Sequence, residues 1–459
     1  MSEVRPGRRV VSDARSGTRA TGVTPARACA FRVLGRAYRD GAYADRALQT
    51  EARGLEGRER ALAQTLAYGA IQRRRTLDHV LARFSSRSLD SLDVDVRCAL
   101  ELGAYQLMML DGVSPYAAVD ESVELAKRTS PGGARLVNAI LRRVSREGRA
   151  LLAALDDATP ERAAVLHSVP DWLARMWWGE LGGEQARGLL ATVNLPAESA
   201  LRINTLRVTD SGAFAAGLAA DIEPAPAWVA APELPELPEA LRVNGRFDAF
   251  ASPGWRAGEL MPQSRASMAV ARVLAPVAGE RVLDVCAAPG AKTTHASALM
   301  RGEGEIVAVE LHGGRAGGLA RSAERMGAGN VRVLQGDARL LCAPGGPLGP
   351  DGFDRVLVDP PCSGLGTLRS RPDLRWHVDP EQLAPLAGIQ GELLATAAGQ
   401  LRPGGALVYS VCTISRHESG DVVEAFLAGH PEFALDRSWL LLPHVEGSDG
   451  FYIARLHRR

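Results

Sequence analysis

From about residue 275 onward the 459-residue chain alternates short apolar runs with helical stretches. Arg281–Cys286, Ile306–Glu310, Val331–Gln335, Phe353–Asp359, Leu407–Val411 and Tyr452–Leu456 read as buried strands. Strands separated by helices need crossovers, and right-handed crossovers place helices on both faces of a parallel sheet. This half of the chain therefore predicts a Rossmann-like α/β layout. Its ligand belongs at the carboxyl ends of the strands, near the point where strand order reverses.

Four acidic residues fall at or near such ends: Asp284, Glu310, Asp337 and Asp359. Glu310 closes the second strand, where a carboxylate can accept both hydroxyls of a ribose. Asp337 follows the third, within reach of an adenine amino group. Asp284 would as readily pin the turn after its own strand. That turn, Asp284-Val-Cys-Ala-Ala-Pro-Gly-Ala-Lys292, carries Gly290, where backbone can approach a ligand closely. It matches neither GxGxxG nor GxxxxGK[ST], so the cradle for a nicotinamide cofactor or a nucleoside triphosphate is missing. S-adenosylmethionine, which has no phosphate, fits better.

Six cysteines (29, 98, 286, 342, 362 and 412) show no CxxC or Cys/His spacing. A disulfide framework and a metal site are therefore not expected. Cys29, Cys98 and Cys342 read as small buried hydrophobes. Cys362 lies just past the fourth strand, in Asp359-Pro-Pro-Cys-Ser-Gly364, and Cys412 just past the fifth, in Tyr409-Ser-Val-Cys-Thr413. Two thiols beside a methyl donor suit methylation at C5 of cytosine, a weak nucleophile. A thiolate added to C6 makes C5 enamine-like, and a carboxylic group at N3, a role open to Asp359, stabilises the adduct. The second thiol can assist release.

The rest of the chain is different. Residues 1–150 hold 26 Lys+Arg against 17 Asp+Glu, and residues 151–459 hold 28 against 36. Only Lys127 and Lys292 are lysines, so the basic excess is almost wholly arginine. Residues 1–24 read as a flexible basic tail. Residues 25–155 read as an all-helical domain: Ala28-Phe31-Leu34-Tyr38, Leu62-Leu66-Ala67-Ile71, Val96-Leu100-Ala104-Leu107 and Val119-Val123-Ala126 recur at helical intervals. Ser114-Pro115 and Ser-Pro-Gly-Gly at 130–133 punctuate them, and a last helix spans Leu136 to about Arg146. Residues 160–270 suggest a small α+β subdomain, with a strand over Leu201–Arg207 and a loop through the Pro-Glu-Leu-Pro-Glu-Leu-Pro run. The α/β domain would occupy 271–459. No uncharged apolar run approaches the ~20 residues of a membrane span. The N terminus lacks a secretory apolar core, so the cytoplasm is the expected compartment.

VLDVCAAPGAKTTHAS (282–297), VLVDPPCSGLGTL (356–368) and LVYSVCTI (407–414) resemble the Nol/Nop/Sun family of RNA 5-methylcytosine methyltransferases. The resemblance implies Cys412 as nucleophile and Cys362 as the release-assisting thiol, with Asp359 at cytosine N3 and Lys292 orienting the site. It implies S-adenosylmethionine contacts from Cys286, Ala287, Ala288, Pro289, Gly290, Ala291 and Lys292, plus Glu310, Asp337 and Asp359. GAYQLMMLDGVSPYAAVDESVELAKR (103–128) and LVNAILRRV (136–144) are similar to the RNA-binding NusB-like domain. That pairing marks the Sun/RsmB subfamily and implies bacterial 16S rRNA as partner. LRINTL (201–206) resembles the family's substrate-side motif, which implies RNA contacts from Arg202 and Asn204. In the helical domain Arg73, Arg74, Arg75, Arg142, Arg143 and Arg146 are the expected phosphate contacts. A monomer is expected. Ala291, Gln263-Ser264 and Val411 depart from the family pattern, but none removes a reacting group. Three alternatives remain: another rRNA or tRNA cytosine, an inactive NusB-like scaffold, and a DNA-type mechanism with Cys362 attacking.

Overall fold

The computed structural model describes residues 22–245, 247–348 and 352–459. Of the basic tail expected over 1–24, the first 21 positions lie outside the described residues. The chain divides into two compact units: residues up to 70 together with 81–149, and residues 71–80 together with 150–459.

The first unit is helical throughout. Its centre is helix Val94–Met109, in which every residue from Cys98 to Met108 is buried. A helix covered on all sides needs neighbours on all sides, and helices Pro25–Arg39 and Pro115–Thr129 pack against it. Its two long polar side chains are partnered within the unit. Glu101 accepts hydrogen bonds from Arg97 (2.8 Å) and Tyr38, and Gln106 accepts one from Arg27 (2.6 Å). The last helix is longer than the sequence pattern implies, running from Pro131 to Ala153. Ser130 Oγ accepts the Gly133 N–H at 3.2 Å, and Pro131 occupies a first-turn position whose N–H would be unpaired anyway. The Ser-Pro-Gly-Gly segment thus opens a helix instead of forming a loop. Helix Ala44–Glu51 escapes the pattern because only Ala44, Ala47 and Leu48 are buried.

The second unit contains two sheets. Strands β1 (Ala200–Ile203), β2 (Asp221–Pro224), β3 (Ala240–Asn244) and β4 (Leu260–Pro262) form an antiparallel sheet in the order β2-β3-β1-β4. The larger sheet holds β5 (Arg281–Val285), β6 (Glu305–Glu310), β7 (Val331–Gln335), β8 (Phe353–Val358), β9 (Leu401–Val411), β10 (Phe433–Leu441) and β11 (Phe451–Arg458), in the order β10-β11-β9-β8-β5-β6-β7. Strands β5 to β9 are parallel, as expected, but β11 runs antiparallel to β9 and β10 antiparallel to β11. The expected parallel Rossmann-like sheet is thus present, and an antiparallel hairpin closes it at one edge. Alternate residues serve opposite faces. Leu283, Val285, Val307, Val356 and Val358 pack against Leu393, Leu394 and Phe426. Val282, Ile306, Leu357 and Val408 pack against Ala266, Val270 and Val273 of helix Arg265–Leu274.

A buried polar network ties the two sheets together. The strand expected over 201–207 ends at Ile203, and Asn204 turns the chain, its Nδ2 donating to the carbonyls of Gly258 and Met326 at 2.7 Å each. Arg202, fully buried, donates to Gln263 Oε1 (2.8 Å) and to Thr294 Oγ1 (2.9 Å) on helix Ala291–Leu299. The RNA contacts expected of Arg202 and Asn204 are thus corrected: both side chains face protein and fasten the small sheet to the large one. Nearby, His295 Nε2 lies 2.7 Å from Glu239 Oε1, and Arg272 Nε donates to the same oxygen at 3.0 Å. Burial drives the His295 pKa down to about 4, so the ring is neutral and donates to Glu239.

A histidine buried in the neutral form binds its proton more weakly in the folded state than in the unfolded chain. Stability from His295 is present above its ordinary pKa near 6.5 and is lost as pH falls toward 4, by up to about 3 kcal/mol. The melting temperature should fall across that window, and less steeply in His295→Gln, which keeps a donor for Glu239 but does not titrate. Parallel pH profiles of the two proteins would exclude this assignment.

Candidate active site

Strand order reverses between β5 and β8, and the turns that leave these two strands face each other there. After β5, Cys286 adopts a left-handed φ of 63° and Gly290 a φ of 100°. A side chain at Gly290 would meet Leu319 at 2.7 Å, so this glycine serves the turn and the packing of helix Gly313–Met326. The turn is fixed from both sides: Ala287 N–H donates to the Val309 carbonyl (2.9 Å) and Thr293 Oγ1 to Asp284 (2.6 Å). Burial lifts the Asp284 pKa to about 7. Asp284 pins the turn and does not line the cleft beside it.

That cleft, about 410 Å3 in volume, runs from the ends of β6 and β7 to the two thiols. Cys286, Ala288 and Pro289 line it, whereas Ala287, Gly290, Ala291 and Lys292 stand behind the lining. Glu310 lines it as a 3% exposed residue. One of its oxygens accepts the His312 N–H (3.0 Å), and the other lies 3.5 Å from Arg315. Arg315 also donates to the Ala288 carbonyl (2.9 Å), joining the β5 turn to the end of β6. Nothing in the sequence pattern singled out this arginine. Asp337 lines the cleft too, but it caps helix Ala338–Leu341 and forms an ion pair with Arg339 at 2.7 Å. The hydrogen bonds from Arg339 hold its carboxyl below the usual range. A buried carboxylate on the cleft wall beside a fixed turn suits the paired hydroxyls of S-adenosylmethionine, and Glu310 meets that requirement better than Asp337.

At the other end of the cleft, the β8 and β9 turns bring Asp359, Cys362 and Cys412 together. Asp359 accepts Lys292 Nζ on one oxygen (2.8 Å) and Ser410 Oγ on the other (2.9 Å). Burial works to lower the Lys292 pKa, but the neighbouring Asp359 carboxylate raises it above its ordinary value. The ammonium stands 5.1 Å from the Phe451 ring centre, a cation–π distance. The Cys362 and Cys412 sulfurs are 3.4 Å apart. The hydrogen bond shared with Cys362 draws the Cys412 thiol below its usual range, against burial and Asp359 and with the support of Lys292. The same bond, with burial, pushes Cys362 well above it.

The expected phosphate contacts divide. Arg142, Arg143 and Arg146 are exposed on helix Pro131–Ala153, with Arg143 4.7 Å above the Phe84 ring. Arg73, Arg74 and Arg75 lie in the stretch 71–80, which packs with residues 150–459. Arg75 is held by Asp171 (3.1 Å), and Arg74 lies 5.9 Å from the Trp376 ring.

Residues 271–457 match the family model described as 16S rRNA methyltransferase RsmB/F, and residues 24–146 match the NusB family. The chain is 34% identical over 458 residues to the probable ribosomal RNA small subunit methyltransferase B of Synechocystis, covering 94% of this chain and 99% of that one. It is 37% identical over 418 residues to ribosomal RNA small subunit methyltransferase B of Thermus thermophilus, covering 87% and 89%. Among solved structures, that of PH0851 superposes with a TM-score of 0.76 at 25% identity, covering 95% of this chain and 99% of that one.

If Glu310 holds the ribose, Glu310→Ala should weaken S-adenosylmethionine binding by about 1–3 kcal/mol, the loss of charge-assisted hydrogen bonds. Calorimetry giving the same affinity for Glu310→Ala and the unaltered protein would remove Glu310 from that role.

Proposed function

The chain belongs to the RsmB/F family of 16S rRNA methyltransferases, and from that premise we propose that it methylates C5 of a cytosine in 16S rRNA through a covalent cysteine adduct. The observation that carries this reading is the 3.4 Å pair of thiols beside the Lys292–Asp359 ion pair, all at one end of one cleft. A methyltransferase acting on oxygen or on an amino group has no use for two such sulfurs. Carbon C5 of cytosine does, because it must first be made nucleophilic.

In this reading the target base leaves its stack and enters the cleft with C6 against Cys412. The Cys412 thiolate forms a bond to C6, and the electron pair of the C5–C6 double bond becomes available at C5 while N3 takes up a proton. Asp359, fixed by Lys292 and Ser410, stabilises that protonated N3. Glu310 and the β5 turn, through Cys286, Ala288 and Pro289, would hold S-adenosylmethionine with Asp337 and Asp359 alongside, and the cofactor would supply an electrophilic methyl group to C5. Transfer of the C5 proton to solvent restores the double bond and breaks the S–C6 bond, and N3 returns to solvent the proton it had taken up from there. Cys362 assists by hydrogen-bonding to the departing Cys412 sulfur, which leaves as a thiolate. The exposed arginines Arg142, Arg143 and Arg146 hold the RNA through its phosphates, without reading sequence.

Cys412→Ala should abolish both covalent adduct and methylation. Cys362→Ala should still attack, at higher pH because Cys412 has lost the hydrogen bond that lowers its pKa, and should accumulate an RNA–protein adduct that survives denaturing electrophoresis. An adduct trapped only in Cys412→Ala would reverse the two roles and favour the DNA-type mechanism. Bisulfite sequencing of ribosomal RNA from a deletion strain checks the substrate, since an unchanged set of 5-methylcytosines in 16S rRNA would exclude it.

Neutralising Arg142, Arg143 and Arg146 together should flatten the dependence of RNA affinity on salt, by about 0.7–0.9 in logarithmic slope for each phosphate left without its arginine. Turnover at saturating RNA should be unaffected. An unchanged slope would remove these arginines from the RNA surface.

A further inference from the structure

Behind the two thiols lies a buried carboxylate that the chemistry above does not use. Glu418 is fully buried at the end of the short helical turn Arg416–Glu418, and its side chain does not line the cleft. One of its oxygens accepts the Ser363 N–H (2.7 Å) and an N–H of Gln390 (3.1 Å). The other accepts the Ser363 hydroxyl (2.5 Å) and lies 3.3 Å from the Thr413 hydroxyl. Ser363 and Thr413 are the residues that immediately follow Cys362 and Cys412, and their hydroxyls are 2.9 Å apart. Gln390 spans the same assembly from helix Leu383–Ala398, donating to the carbonyl of Pro361, the residue before Cys362 (2.9 Å). The Glu418 backbone carbonyl accepts the Tyr409 hydroxyl (2.7 Å) from the end of β9.

We propose that Glu418 is a positioning residue that clamps the two cysteine loops at the separation at which their sulfurs share a hydrogen bond. Both loops leave different strands and have separate sequences, so nothing in β8 or β9 alone sets the distance between their sulfurs. One carboxylate accepting from the residue after each cysteine does set it. Removing a buried acceptor with four donors around it leaves those donors unpaired, so the loops must rearrange to find others. The negative charge also favours the protonated form of Cys362, consistent with the division between the thiols. The clamp rests on the reading of Cys362 and Cys412 as the reacting pair only for its effect on turnover; its effect on the sulfurs is separate.

The test reads the thiols first, in the full chain without RNA. Alkylation of Cys362 and Cys412 by iodoacetamide is followed against pH by peptide mass spectrometry. In Glu418→Ala the Cys412 profile should move to higher pH, since the sulfur–sulfur hydrogen bond is lost. Glu418→Gln, which keeps a carbonyl for Ser363 N–H and Gln390 and offers an amide N–H that the two hydroxyls can accept, should largely restore it. Single-turnover methylation in Glu418→Ala should slow by roughly 100-fold, the cost of an ångström-scale misplacement, with S-adenosylmethionine affinity unchanged. An unchanged Cys412 profile in Glu418→Ala would overturn the proposal. Should that variant fail to fold, unchanged profiles in both Ser363→Ala and Thr413→Val would do the same. If Cys412→Ala still forms adduct while the alkylation profiles shift as expected, the assignment of the nucleophile fails and the clamp stands.

Discussion

The reversal of strand order between β5 and β8 is the constraint on which the rest of the site depends. Only there do two neighbouring parallel strands send their following segments to opposite sides, leaving a gap between the turns. Lys292, from the β5 side, closes that gap by pairing with Asp359, from the β8 side, at 2.8 Å. Both groups are largely shielded from water, the lysine at 13% and the aspartate at 28% side-chain exposure. Removing either partner would strand the other charge in a poorly solvated place, so the pair is a strong fixed point. Ser410 extends it to β9, and Cys412 follows two residues later. The Cys412 sulfur inherits its position from a backbone topology through a short chain of polar contacts.

The inner strands of the large sheet were legible because burial on both faces leaves mostly apolar residues between polar ends, and edge strand β7 keeps Val331, Val333 and Leu334 in a short apolar run. Val331–Gln335 and the β6 and β8 runs agree with the sequence reading to within a residue. Strand β10, Phe-Ala-Leu-Asp-Arg-Ser-Trp-Leu-Leu, was not, because it is the sheet edge and most of it is at least partly exposed. Strand β9 begins six residues early, at Leu401, passing through Pro403-Gly404-Gly405, which reads as a break in any linear scan. Arg202 misled for a related reason. A charged residue between apolar neighbours normally marks a solvent-facing position, yet here Gln263 and Thr294 give it partners inside.

The meeting of Cys362 and Cys412 was readable, since cysteines just past two strand ends in a Rossmann-like order converge on one crevice. The groups that hold them were not. Arg315 and Glu418 act across 27 and 55 residues of sequence, on Ala288 and Ser363. Neither has a periodicity or a local motif that reveals its partner, and only the folded backbone brings them near.

The division of the chain into units has a consequence for how it is made. Residues 71–80 belong with the segment that begins at 150, although a run of helical chain separates them. From that early stretch the Ile71 carbonyl accepts the Trp376 indole N–H (2.8 Å), Thr76 Oγ1 donates to the Val165 carbonyl, and Arg75 pairs with Asp171. During synthesis this decapeptide leaves the ribosome some 300 residues before Trp376, its most distant partner here. It must therefore wait for partners that are made later. Cutting the gene at residue 150 would give a fragment with both sheets and no such strap, and its indole, carbonyl and carboxylate docking points would be left to water.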